Sequence, residues 1–283
     1  MNSLKTAILL GALSGLLLLG GELVGGRGGL EMGLVLAVGM NFFSYFFAEK
    51  LSLMMYSAQP VTPQVHPEVY ARVFPLVHNL CQRMGLPMPR LWLIADDSPN
   101  AFATGRNPNH ASVAFTEGVL RLMTGRELEG VVAHELGHVL HRDILIGSVA
   151  ATLASAITFV ARMAFWFGGR DDEEERGGAW AGLLMMIVAP IAAMLIQMAI
   201  SRSREFDADA ASAKYTGNPG ELIDALRKLD RGVAQVPTDA TPATAHMFIM
   251  NPFKGGGLTR MFSTHPSTEE RIARLEATRF AVR

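Results

Sequence analysis

His134 and His138 stand four residues apart in "VVAHELGHVLHRD", with Glu135 directly after the first. On a helix that spacing puts both imidazoles on one face, where they can share a metal ion. Glu135 is rotated by roughly 100° from His134, so it can reach a water on the ion without ligating the ion itself. Zinc lowers the pKa of a water it binds, and a carboxylate beside it can take the proton as the hydroxide attacks a carbonyl. The pattern is H-E-x-x-H. Gly137 between the histidines, with apolar Val131, Val132, Leu136 and Val139 around them, favours a half-buried site over two histidines on an ordinary helix.

A catalytic zinc needs a third protein ligand and an open position. The longer pattern H-E-x-x-H-x-x-G-x-x-H fails, because His141 takes the glycine position and Ile144 the third histidine position. His141 is a rival ligand on spacing alone. Glu205 in "SRSREFDAD" is the better candidate, since a carboxylate completes a His2Glu set. Asp209, one helical turn beyond, can accept the free ring N–H of a ligating histidine and fix its tautomer. On spacing alone, both carboxylates also fit a solvated helix face. The ion expected is zinc (Zn2+), one per chain, although His2Glu sets accept other divalent ions.

The elements that must position these residues are unusually apolar. The chain has 283 residues, 49% of them hydrophobic and only 18% charged, with a mean hydropathy of +0.24. Its net charge of −1 supplies no basic field for nucleic acid. Cys81 is the one cysteine, so no internal disulfide can form, and it reads as a small buried apolar residue. A spanning helix needs about 20 mostly apolar residues. Four stretches qualify: Thr6 to Val24, Leu30 to Ala48, Ile144 to Phe167 and Ala179 to Ile200. The third carries Arg162 and reads alternatively as a buried helix. The first reads as a retained span rather than a cleaved leader, because a second span follows closely with no clear cleavage site.

This divides the chain into a transmembrane hairpin (1–49), a first polar part with the H-E-x-x-H helix (50–143), a second hairpin (144–200) and a second polar part with Glu205 (201–283). Lysines and arginines near the spans number five on the side of the polar parts and three on the other. That excess predicts a cytoplasmic polar domain. In it, a helix should begin at Pro67, bend at Pro75 and end at Gly85. "RLWLIA", "NAFATG" and "SVAFT" read as strands of a small antiparallel β-sheet, with "NPNH" as a turn. The ligand helix should start near Thr124. Further helices should end at Gly217, follow in "NPGELIDALRKLDRG" and close the chain in "STHPSTEERIARLEA". The fold expected is a mainly α membrane protein with four transmembrane helices and a cytoplasmic zinc protease domain containing the small antiparallel β-sheet. His138 lies six residues before the third span and Glu205 five after the fourth, about 10 Å of helix rise from the apolar boundary.

"HELGHVLHRD", two apolar spans, "SRSREFDAD", "HMFIMNPF" and "FSTHPSTEERIARL" occur in an order that resembles the HtpX family of membrane zinc metalloproteases, a gluzincin-type group related to the CAAX prenyl protease. The resemblance covers nearly the whole chain. It implies zinc ligands His134, His138 and Glu205, Glu135 as base, and Asp209 behind the ligands. It implies that Asn100, Ala101, Phe102, Ala103 and Thr104 form an edge strand to which an extended substrate adds, which fits the physics of β-augmentation. It also implies an oxyanion-stabilising pair, His265 with Arg271, although both equally fit a packing or capping role. His246 is a weaker candidate for the site. The family cleaves misfolded or selected membrane proteins from the cytoplasmic side of the bacterial plasma (inner) membrane. The expected partners are therefore unfolded membrane proteins and the lipid bilayer, with no nucleic acid. The alternatives are a CAAX-type processing protease and a non-catalytic, zinc-stabilised chaperone or scaffold. Retention of Glu135 weighs against the last, since a structural zinc gains nothing from a base.

Overall fold

The computed structural model describes residues 2–146, 202–235, 249 and 266–281. It divides into two compact units, Met1–Phe47 with Ile146–Ile200, and Ala48–Leu145 with Ser201–Arg283. The third and fourth expected spans lie outside the described residues, except for a helical start at 144–146.

In the first unit the chain is helical from the start of α1 (Asn2–Met55), which is broken at Gly25 and at Gly26, where φ is +54°. The break folds α1 into an antiparallel pair. A Cβ on Gly21 would collide with the Gly29 carbonyl, and one on Gly33 with the Leu17 carbonyl, so these glycines let the backbones touch. Further along, Asn41 Nδ2 donates to Ser14 Oγ at 2.8 Å and Ser14 Oγ donates to the Leu10 carbonyl at 2.9 Å, which ties the two helices together through polar groups. Gly25–Phe47, 23 residues long, is long and apolar enough to cross a membrane, and Leu10–Glu22 is a shorter apolar helix. Leu34, Val35, Val38, Phe42 and Phe43 point outward and are exposed. Aromatics gather at the end of this helix, with Phe42 and Phe46 tilted at 4.6 Å and Phe43 and Phe47 stacked at 5.3 Å.

The second unit begins with β1 (Gln59–Pro60) and α2 (Pro67–Met84). α2 starts on Pro67, buries Val73, Val77, Leu80, Cys81 and Met84 on one face, and runs through Pro75 as one element. Gly85 ends it in the left-handed conformation (φ +66°), and the Leu86 N–H reaches back to the Cys81 carbonyl. Burial pushes the Cys81 thiol up to about 11, as suits an inert core residue.

The sheet contains β2 (Arg90–Ile94), β3 (Ala101–Gly105) and β4 (Ala111–Thr116) in the order β1-β2-β4-β3. The expected purely antiparallel sheet is corrected here to a mixed one. β3 and β4 form the antiparallel hairpin, turned by a short 3-10 helix at Pro108–His110, but β2 pairs parallel to β4. The hairpin puts β3 on one edge of β4, so β2 takes the other edge, and the 95–100 crossover makes it parallel. All six residues of β4 are buried, as befits a strand paired on both sides. α3 (Glu117–Leu122), α4 (Gly125–Leu140), a helix α5 over 202–216, α6 (Pro219–Gln235) and α7 (Thr268–Ala281) complete the described residues. One core joins α2, α4, α6 and the sheet through Val77, Phe115, Leu128, Val132, Leu136 and Leu226.

Candidate metal centre

α4 carries the H-E-x-x-H residues, and its start is pinned from both directions. Thr124 and Glu127 form a capping box, in which the Thr124 N–H donates to Glu127 Oε2 at 2.8 Å. Lys228 of α6 donates to the same oxygen at 2.7 Å. Along α4, two glycines face the neighbouring helices. A Cβ on Gly130 would lie 2.7 Å from the Leu222 nitrogen of α6, and one on Gly137 would lie 3.0 Å from Ala208 Cα of α5. Ser212 Oγ of α5 also donates to the Gly130 carbonyl at 2.8 Å. Small residues at 208, 211 and 212 therefore let α5 lie against α4, and this close approach delivers Glu205 and Asp209 to the histidines.

The cluster that results is buried and compact. One donor atom each from His134, His138 and Glu205 lies within 4.8 Å of the others. The two imidazole rings meet edge to face, with centroids 4.8 Å apart. In both rings Nε2 faces Glu205, at 3.5 Å from His134 and 3.7 Å from His138. The Nδ1 atoms face other carboxylates: Asp209 Oδ1 at 2.9 Å from His134, and Asp143 at 3.2 Å from His138. Two imidazoles and a carboxylate converging at this spacing fit a zinc-class divalent ion.

Glu135 is 4% exposed, and its Oε2 accepts the Ala103 N–H of β3 at 2.7 Å. Burial raises its carboxyl above the ordinary range, against the opposing pull of His134, His138 and the Ala103 N–H. Burial and Arg271 both disfavour a charged His134, yet its bonds to Asp209 and Glu205 outweigh them and push it up to about 9. Burial alone would raise the Asp209 carboxyl, but Arg271 and His134 hold it below its ordinary value.

β3 lies at an edge of the sheet among the described residues. Asn100 and Thr116 pair through the Thr116 N–H and the Asn100 carbonyl, so alternate residues Ala101, Ala103 and Gly105 turn their N–H and C=O groups away from β4. Ala103 is thereby aimed at Glu135. Asn100, expected at a substrate, has its side chain buried, with Oδ1 accepting the Ile249 N–H at 3.1 Å. Phe102 packs into a small cluster with Leu53, Ile94 and Ala114, and Thr104 is 3% exposed.

Arg271, expected at the oxyanion, is 1% exposed and lies across Asp209. Its Nε and Nη2 donate to the two Asp209 oxygens at 2.9 and 2.7 Å, and Nη1 donates to the Ile249 carbonyl at 2.8 Å. His246 and His265 lie outside the described residues. His141 is the C-cap of α4 and stands outside the converging donor set. Sequence reasoning missed Asp143, which is five residues beyond His138 and past the end of the helix, so no helical spacing connects the two.

Residues 67–279 match the profile of Peptidase family M48. The chain is 53% identical over 285 residues to a Protease HtpX homolog of Desulfatibacillum aliphaticivorans, covering 98% of this chain and 90% of that protein. It is 52% identical over 277 residues to Protease HtpX homologs of Burkholderia cenocepacia and Ralstonia nicotianae, covering 97% of this chain and 96% of each relative. Among solved structures, that of S. mikatae Ste24p matches with a TM-score of 0.55 at 17% identity, over 86% of this chain and 57% of that one, a likeness of fold. The chain belongs to peptidase family M48, in its HtpX group, and is a metalloprotease.

Proposed function

We propose that the chain is an integral-membrane zinc endopeptidase that cleaves misfolded or selected membrane proteins, with its site on the cytoplasmic face of a bacterial plasma membrane. His134, His138 and Glu205 would hold one zinc ion, and their convergence within 4.8 Å is the observation that carries the reading. The ion supplies Lewis-acid polarisation of a carbonyl and a more acidic water. Glu135 takes the proton from the attacking water and passes it to the leaving amine, a task suited by a buried carboxyl with a raised pKa. Asp209 holds His134 with Nδ1 protonated and Nε2 free for the ion, and Arg271 holds Asp209.

The outward main-chain groups of Ala101 and Gly105 and the Ala103 C=O would take an extended peptide as an added strand, while the Ala103 N–H is held by Glu135. Main-chain pairing carries affinity and leaves sequence preference loose, which suits unfolded substrates. The apolar Gly25–Phe47 helix, with outward-facing side chains and an aromatic end, supports membrane insertion; the second hairpin, expected at 144–200 from its apolar sequence, lies almost entirely outside the described residues. The test is full-length protein in detergent, assayed for zinc and for cleavage of unfolded casein beside a prenylated C-terminal peptide. About one zinc per chain and cleavage of casein are expected. Cleavage of the prenylated peptide alone would overturn the quality-control reading, and absence of zinc would overturn the metal assignment.

A further inference from the structure

α4 ends in an unusual turn. His141 keeps right-handed helical angles, but Arg142 has φ +56°, a region that residues with a side chain seldom adopt. Only one other non-glycine among the described residues has positive φ, Ser57. The turn reverses the chain enough for the Asp143 N–H to donate to the His138 carbonyl at 3.1 Å. It also brings the Asp143 carboxylate, 1% exposed, back onto the His138 ring, with its oxygens 3.2 and 3.3 Å from Nδ1. A buried carboxylate beside a ring nitrogen accepts, so Nδ1 carries a proton, and Nε2, which faces Glu205, is the nitrogen left for an ion. From α5, Arg204 Nη1 donates to the Asp143 carbonyl at 3.1 Å and holds the turn. The arrangement repeats that of His134, whose Nδ1 meets Asp209 while Nε2 faces Glu205.

We propose that Asp143 is the positioning residue of His138, held in place by the left-handed turn at Arg142 and by Arg204, so that each histidine of the centre has its own orienting carboxylate. The inference rests on His138 being a ligand. The carboxylate fixes the tautomer and the ring plane and raises the basicity of Nε2, and losing such a partner weakens metal binding by about 10–100-fold. Arg204 precedes Glu205 directly in sequence, so α5 supplies a ligand and braces the second orienting group with adjacent residues.

The experiment compares full-length wild type, Asp143→Ala and Asp143→Asn in detergent. Zinc affinity is measured by competition with a chromophoric chelator, and the visible spectrum of the cobalt-loaded protein is recorded. Asp143→Ala should bind zinc about 10–100-fold more weakly and shift the cobalt bands. Asp143→Asn matches the shape and keeps an accepting oxygen, so it should fold, retain near-wild-type bands and bind zinc with intermediate affinity. If Asp143→Ala does not fold, Asp143→Asn carries the test through its affinity, and wild-type affinity there overturns the proposal. Wild-type affinity and spectrum in folded Asp143→Ala overturn it too. Loss of zinc from His138→Ala, with zinc retained by Asp143→Ala, would leave the metal assignment standing while this inference fails.

Discussion

Replacing Arg271 with alanine separates two roles for this residue. In the structure its guanidinium is 1% exposed and makes two bonds to Asp209, itself 3% exposed, and a third to the Ile249 carbonyl. Arg271→Ala leaves the Asp209 carboxylate buried without its main counter-charge. Removing one partner of a buried ion pair costs about 3–5 kcal/mol. A domain of 150–250 residues loses about 2–4 °C per kcal/mol, so the melting temperature should fall by roughly 6–20 °C. Arg271→Lys keeps the charge and loses the fork, and should recover only part of this. Asp209→Asn combined with Arg271→Met should cost less than the sum of the two single changes, because the carboxylate that needs neutralising is gone. The assay is thermal unfolding of detergent-solubilised protein, with zinc content measured on the same samples. If Arg271→Ala melts at the wild-type temperature with full zinc and loses only turnover, Arg271 acts on the reacting atoms and the bracing role assigned here is wrong.

Gly137→Ala tests the α4–α5 approach. Helix propensity alone favours alanine by about 1 kcal/mol, but the new Cβ would sit 3.0 Å from Ala208 Cα and 3.1 Å from Ala211 Cβ. Overpacking of about 1–3 kcal/mol should dominate, giving a lower melting temperature and weaker zinc binding; a gain in both would contradict the packing described. Thr124→Ala should cost about 0.5–2 kcal/mol by removing the cap of α4. Burial alone would raise the Glu127 carboxyl, but its bonds to Lys228 and Thr124 hold it below its ordinary value. Its contribution is therefore complete above an unfolded pKa of roughly 4.3 and is lost as pH falls towards the lower folded value. Glu127→Gln should flatten stability in that acid window, and an unchanged pH profile would count against the assignment. A strong chelator should stop proteolysis and lower the melting temperature together, with zinc restoring both; activity that survives full zinc removal would exclude metal-dependent hydrolysis.

The parts of the site legible in the sequence are those written in local periodicity. His134, Glu135 and His138 on one helix, and Glu205 with Asp209 on another, need only the helical repeat, and α5 brings the two sets together. The β3–β4 hairpin is local too, written in two extended runs with "NPNH" between them. What was not legible depends on non-local or irregular backbone. The parallel pairing of β2 with β4 is a choice of sheet neighbour, on which strand alternation is silent. Asp143 reaches His138 through a left-handed arginine that no composition signals. The buried fork of Arg271 on Asp209 spans 62 positions and exists only once α7 packs against α5.

Glu135→Gln in the full-length protein decides whether a metal-loaded His134–His138–Glu205 centre works with Glu135 as base. The variant should hold about one zinc per chain, as the wild type does, with proteolysis of unfolded substrate abolished. Wild-type cleavage by a zinc-loaded Glu135→Gln protein would contradict that role for Glu135.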